Sequence, residues 1–264
     1  MIRLEDIKQV FNPRTINENI VLRGVNLRIN AGDFITVIGS NGAGKTTMFN
    51  VLSGAIIPTS GKILVGDRDI TKVPEHKRAK MIGRIYQNPL LGTAGNMSLE
   101  ENMVLCSKKG FRGLKISLNN ELRGNFAEEL KTLGMGLENR LKDRVGLLSG
   151  GQRQALTLLT TVLSRPELLL LDEHTAALDP GNAEAVMTLT RRFVEEYHIT
   201  AMMVTHNMQQ AINYGNRLIM LDKGRIILDI SGKEKSELTV SALVAKFKAI
   251  GSTMQNNDEA LLEQ

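Results

Sequence analysis

The chain has 264 residues, is 42% hydrophobic, and sets 33 Lys and Arg against 28 Asp and Glu for a formal net charge of +5. That apolar content suffices for a full core, while the excess of base is too mild to single out nucleic acid or lipid headgroups as partners. The single cysteine, Cys106, excludes an internal disulfide and fits a reducing compartment. The charged start MIRLEDIKQVF lacks a leader's apolar stretch, and no apolar run approaches the roughly 18 residues of a membrane span, so a soluble chain is expected.

In chain order, strand patterns are expected over 2–10, 20–29 and 34–39, the last running into GSNGAGKTT, with a helix following over 45–52. GKILVGDRDI reads as another strand pattern, and MIGRIYQ closes the section. From residue 88 to 144 strand patterns vanish, and 99–105 and 120–133 read as helices, a candidate helical subdomain. Beyond it, 149–163 and 183–197 carry helical patterns beside buried strands at 168–171 and 201–205, and this alternation predicts parallel pairing. A hairpin is expected at 218–221 and 225–230 around Asp222-Lys223-Gly224, then a helix over 240–247 and a polar tail over 251–264.

Three stretches carry chemistry. Gly39-Ser40-Asn41-Gly42-Ala43-Gly44-Lys45-Thr46-Thr47 fits the phosphate-loop pattern G-x-x-x-x-G-K-[ST] between a strand and a helix. Its glycines let backbone N–H groups wrap a phosphate, Lys45 reaches the terminal phosphates, and Thr46 offers a hydroxyl to Mg²⁺. Leu168 to Leu171 then end in Asp172 and Glu173. In a phosphate-loop protein a neighbouring parallel strand ends beside the loop, so Asp172 is placed to orient hydrated Mg²⁺ and Glu173 to take a proton from the attacking water. Third, Ser149-Gly150-Gly151-Gln152 precedes a helix, with Ser149 as its N-cap. This is a second phosphate site that one nucleotide does not obviously share within a chain. A head-to-tail dimer resolves the conflict, with Ser149 and Gly151 of each chain on the γ-phosphate held by the other's Lys45.

Taken in order, GSNGAGKT, Gln87, LSGGQRQ, LLLLDE, AALD and VTHN resemble the nucleotide-binding subunit of an ABC transporter, over about residues 2–247. The resemblance implies an α/β P-loop NTPase of the ABC type: a RecA-like core with an N-terminal antiparallel β subdomain (1–87 and 145–250 together) and a helical subdomain (88–144). It implies ATP and Mg²⁺ as cofactors. By resemblance Gln87 senses Mg²⁺, water and the membrane partner, His206 is the switch histidine on the γ-phosphate, Asp179 makes a dimer contact, and Phe11 stacks on adenine, with Tyr86 or a core role as the competing reading for that position.

The pattern departs from the family's commonest form at His174, where proline is usual, and at Ala176, where serine is usual. His174 is read as a loop residue, with a proton or phosphate role as the alternative, and the basic segment 108–115 as a solvated loop or a contact with lipid headgroups or a membrane partner. The resemblance implies a homodimer or heterodimer of ATP-binding subunits driving separate permease subunits from the cytoplasmic face of the membrane. An importer of amino acids or similar small solutes is expected, with an extracytoplasmic solute-binding protein and no direct nucleic-acid contact. A soluble single-cassette ATPase of the cofactor-assembly type is the alternative.

Overall fold

The structure, a computed structural model, describes residues 1–107, 119–247 and 249. The basic segment 108–115 and the tail 251–264 lie outside the described residues. Elements β1 (Ile2–Phe11), β2 (Asn19–Ile29), β4 (Ser60–Val65) and β5 (Arg68–Asp69) form an antiparallel sheet in the order β2-β1-β4-β5. The continuous strand expected over GKILVGDRDI is instead a hairpin, because Gly66, at φ +59°, turns the chain between β4 and β5.

The second sheet is six-stranded, in the order β10-β9-β3-β8-β7-β6. It comprises β3 (Phe34–Gly39), β6 (Ile82–Ile85), β7 (Leu168–Asp172), β8 (Ala201–Val204), β9 (Arg217–Asp222) and β10 (Arg225–Ser231). All its pairings are parallel except that of β9 with β10. There Lys223 and Gly224, both at positive φ, make a two-residue turn whose twist suits a hairpin.

Helix α1 (Lys45–Ser53) follows β3 directly. The other helices are α2 (Glu75–Arg78), α3 (Leu99–Ser107), α4 (Asn120–Lys131), α5 (Gly150–Leu163), α6 (Pro180–Glu196), α7 (Met208–Asn213) and α8 (Gly232–Ser236), with a further helix over 240–247. α6 begins before the expected residue 183 because Asp179 caps it and Pro180 occupies its first turn, where a missing N–H costs nothing. α2, α7 and α8 are too short to show a helical period in the sequence.

The leucine run of β7 is divided between two cores. Leu168 and Leu170 join Met48, Phe49 and Leu52 of α1 and the inward residues of β1 and β2, such as Leu4 and Leu22. Leu169 and Leu171 join Leu156 and Leu159 of α5, Phe193 of α6, and Met103 and Phe126 of α3 and α4. α1 thus lies between the small sheet and one face of the large sheet, while α3 to α6 cover the other face. Each such buried leucine contributes roughly 1.5–3 kcal/mol, which fixes the end of β7 against both layers and sets the height at which Asp172 and Glu173 emerge.

Candidate functional site

The loop between β3 and α1 has the shape its glycines require. Gly39 sits at φ +154°, and a Cβ there would lie 2.2 Å from the Leu221 carbonyl oxygen of β9. Gly44, at φ +101°, would put a Cβ 2.9 Å from Leu22 Cδ2 of β2. Any other residue would push the loop off both neighbours. Ser40, Asn41, Gly42 and Thr46 are exposed, Thr47 is half-buried and Ala43 is buried. No side chain caps the first turn of α1, so its leading N–H groups stay free to meet an anion.

Lys45 opens α1 and is only 6% exposed. Its Nζ donates to the carbonyls of Gly39 at 2.8 Å and Ser40 at 2.9 Å. Burial lowers its pKa, and the negative charges of Glu173 and Asp172 act in the opposite direction. The lysine and both carboxylates therefore occupy one electrostatic site.

Asp172 is the last residue of β7, on the face shared with Leu168, Leu170 and α1. Its Oδ2 accepts from Arg84 NH2 of β6 at 2.8 Å. Glu173 leaves the strand at φ +48°, a conformation costly for a residue with a Cβ and common where local strain serves a site. Its N–H donates to the Val204 carbonyl of β8 at 3.2 Å, and its Oε1 lies 2.6 Å from His206 Nε2, two residues past β8. Three parallel strands thus deliver Lys45, Asp172 and the Glu173–His206 pair to one edge of the sheet.

A second group forms on α5 and α6. Ser149 and Gln152 make a reciprocal capping box at the start of α5, with both N–H···O bonds at 3.2 Å. Gly151 is buried so closely against α6 that a Cβ would fall 2.5 Å from Asn182 Oδ1, and Gly150 lies against Leu178. Asp179 accepts from the Asn182 backbone N–H at 3.1 Å and from its side-chain amide at 2.6 Å. These bonds hold its pKa below the ordinary value. Ser149, Gly150 and Asp179 remain exposed side by side.

The remaining expected residues fall as follows. Phe11 ends β1, half-buried, two positions beyond Gln9, whose partner Leu22 touches the phosphate loop at Gly44. Tyr86 lies under the Arg84 guanidinium, 4.6 Å from it, and near Glu75. Gln87 is exposed just after β6. His174 is 1% exposed and its Nε2 lies 3.0 Å from Thr190 Oγ1 of α6. The Thr190 hydroxyl donates to the Val186 carbonyl at 2.8 Å, so it accepts from His174, whose proton is on Nε2. Burial pushes the imidazole down to about 4. His174 is a neutral anchor of the loop to α6, and the alternative of a proton or phosphate role loses its physical basis.

Two residues of the neighbourhood were not singled out from the sequence. Arg84 is one. Gln154 is the other: fully buried in α5, it donates to the Tyr86 carbonyl at 3.1 Å and the His174 carbonyl at 2.7 Å, tying the segment before Gln87 to the one after Glu173. A charged residue inside the apolar stretch MIGRIYQ was the available signal for Arg84, since buried arginines need partners.

Comparison with known proteins points to one family. The family model for the ABC transporter domain matches residues 22–176. The tyrosine transport ATP-binding protein of Clostridioides difficile is 41% identical over 249 residues, covering 94% of this chain and 99% of that protein. An energy-coupling factor transporter ATP-binding protein of Clostridium perfringens is 32% identical over 231 residues, 86% of this chain and 79% of its own. Among solved structures, a dimeric ATP-binding cassette in a post-hydrolysis state bound to ADP and Pi matches with a TM-score of 0.71 at 25% identity, covering 88% of this chain and 98% of that one.

Proposed function

The chain belongs to the ABC transporter family as an ATP-binding subunit with the P-loop ABC fold, an ATPase, and from that premise we propose how its residues divide the work. Lys45 and the backbone amides of residues 40–46 hold the terminal phosphates of ATP. Phe11 lies under the adenine. Glu173 takes the proton of the attacking water, and His206, hydrogen-bonded to it, orients that carboxylate and meets the γ-phosphate. Ser149, Gly150, Gly151 and Gln152, with Asp179, serve the nucleotide held by a second subunit. Gln87 reports the state of the site to the permease.

Thr46 and Asp172 would hold Mg²⁺. The donor set suits that ion, which is usually bound by one or two carboxylates together with substrate phosphates and water. Among the described residues no group of three or more His, Cys, Asp or Glu offers an all-protein cage. When bound, the ion neutralises charge on the β- and γ-phosphates.

The observation that carries this reading is the convergence of Lys45, Asp172, Glu173 and His206 at the C-terminal edge of β3, β7 and β8, where α/β sheets bind ligands. The solute assignment rests on the tyrosine transport relative, which is matched along nearly its whole length. It supports transport of an amino acid; import, with an extracytoplasmic solute-binding protein in the same system, is our extension of that reading. Among the described residues no helix is long and apolar enough to cross a membrane, and we place the subunit at the cytoplasmic face through its permease.

Proteoliposomes holding the subunit with a candidate permease, supplied with its solute-binding protein, test the assignment. They should accumulate labelled tyrosine or a related amino acid when ATP is supplied, and Lys45→Ala should abolish accumulation. Hydrolysis without uptake of any amino acid would sink the solute assignment. A subunit that never associates with membranes in cells expressing the permease would overturn the transporter reading and favour cofactor assembly.

A further inference from the structure

β6 pairs with β7 so that Arg84 lies opposite Leu170, two residues before Asp172 on the same face. From there its guanidinium reaches three parts of the nucleotide site. NH2 donates to Asp172 Oδ2 at 2.8 Å; NH1 donates to Asn50 Oδ1 at 2.6 Å and Ser53 Oγ at 3.3 Å, both on α1; and the plane lies over Tyr86, 4.6 Å away. The two charged side chains are 8% and 11% exposed, and Arg84 Nε is buried without a partner.

This is an expensive arrangement if stability alone is at issue. A buried ion pair commonly does no better than apolar residues of the same volume, and an unpaired buried N–H makes it worse. What it does supply is a fixed place for the Asp172 carboxylate. Arg84 engages Oδ2 through one nitrogen only, so Oδ1 is not taken by the fork that a bidentate pair would use. The second nitrogen is tied to α1, which begins at Lys45 and Thr46. One guanidinium therefore sets the distance between the carboxylate on β7 and the hydroxyl at the start of α1.

We propose that Arg84 is a positioning residue for the divalent cation of the nucleotide site: it holds Asp172 in register with the phosphate-loop helix and so sets cation affinity without touching the cation. The proposal rests on Asp172 being the carboxylate toward the ion, as argued above. Mg²⁺ demands nearly ideal octahedral geometry, so its binding is sensitive to a ligand that drifts. Residues that hold a metal ligand in place typically alter affinity by about 10- to 100-fold when replaced.

The test is a titration of Mn²⁺, followed by the loss of its free-ion EPR signal, into the full-length protein with a non-hydrolysable ATP analogue. Arg84→Met should weaken Mn²⁺ binding by about tenfold or more, while analogue affinity in EDTA stays unchanged. Asn50→Ala, which removes the shorter of the two bonds to α1 and leaves the Ser53 and Asp172 contacts, should give a smaller loss in the same direction; it also serves if Arg84→Met fails to fold. Asp172→Asn separates the two claims. If it leaves Mn²⁺ affinity intact, the assignment of Asp172 itself fails. If it weakens binding while Arg84→Met and Asn50→Ala do not, or if either tightens it, Arg84 is a structural residue only. In the double variant Arg84→Met/Asp172→Asn the losses should not add, because both act through one carboxylate; full additivity would overturn the proposal.

Discussion

Glu173 is held in a left-handed conformation, close to His206 and in the field of Lys45. A glutamine there keeps the shape and the hydrogen-bonding reach but cannot take a proton. Glu173→Gln should therefore lower ATP turnover by about 10²-fold or more with ATP binding retained, read by steady-state phosphate release and by nucleotide titration; near-normal turnover would remove Glu173 from its role. His174, next to it, makes a different prediction. Its folded pKa is about 4, below the ordinary histidine value of 6.5, because charging it would bury an imidazolium. Well above pH 6.5 it is neutral in both states and adds no pH dependence. As pH falls from there toward 4, the unfolded chain takes up the proton first and stability drops. The loss between pH 7 and pH 5 comes to about 2 kcal/mol. Urea unfolding of wild type and His174→Gln at the two values checks it: the difference in slope with pH should disappear in the variant.

At the scale of elements, α1 is fixed at both ends by features of different legibility. Its start was readable, because Gly-rich loops between a strand and a helix have one dominant use. Its end is closed by Arg78, which is fully buried and donates to the carbonyls of Val51, Leu52, Thr71 and Val73 at 2.7–2.8 Å. Val51 and Leu52 lie in the last turn, where helix carbonyls lack intrahelical partners and a positive charge is favourable. Arg78→Ala should cost about 3 kcal/mol by leaving those carbonyls unpaired, lowering the melting temperature by roughly 5–10 °C in calorimetry. Arg78→Lys should recover little, since one ammonium cannot reach all four acceptors; an unchanged melting temperature for the alanine variant would refute the argument. Nothing in the sequence foretold this. Arg78 sits in a four-residue helix without periodicity, and its partners Val51 and Leu52 lie 27 and 26 residues away. Arg84 and Asp172, 88 residues apart, were likewise beyond reach, since their meeting depends on β6 pairing with β7. What was legible were local signals: strand periods, the phosphate loop, the N-cap at Ser149, and the carboxylates that end the leucine run. His174 was read as a loop residue, and it is one; what the sequence did not show is that α6 covers it.

At the scale of the whole molecule, the residues divide into two assemblies on different elements of one chain. Lys45, Asp172, Glu173 and His206 belong to the ends of β3, β7 and β8, while Ser149, Gly151 and Asp179 belong to the starts of α5 and α6, joined through Asn182. Asn182 both bonds Asp179 and packs against Gly151, so it ties the two helix starts together. ABC cassettes dimerise, as in the related cassette bound to ADP and Pi, and a shared site would put one assembly from each subunit around each ATP. Activity per molecule should then rise with protein concentration until dimers dominate. Mixing distinguishes this from two self-contained sites. A Lys45→Ala chain and a Ser149→Arg chain are each expected to be inactive. In a mixed dimer one composite site carries both defects and the other carries neither. Mixing the two stocks should therefore restore part of the ATPase activity, up to about half per mixed dimer if the sites work independently. Mixed dimers should be counted by two different affinity tags, so that failure to associate is not taken for failure to complement. Tagged mixed dimers that stay as inactive as their parents would show that Lys45 and Ser149 do not serve one nucleotide across the interface, or that neither site turns over alone. A chain pair linked in tandem, with both defects placed in the same half, settles which. A shared site leaves each ATP one defect and predicts no activity, whereas self-contained sites leave the intact half active.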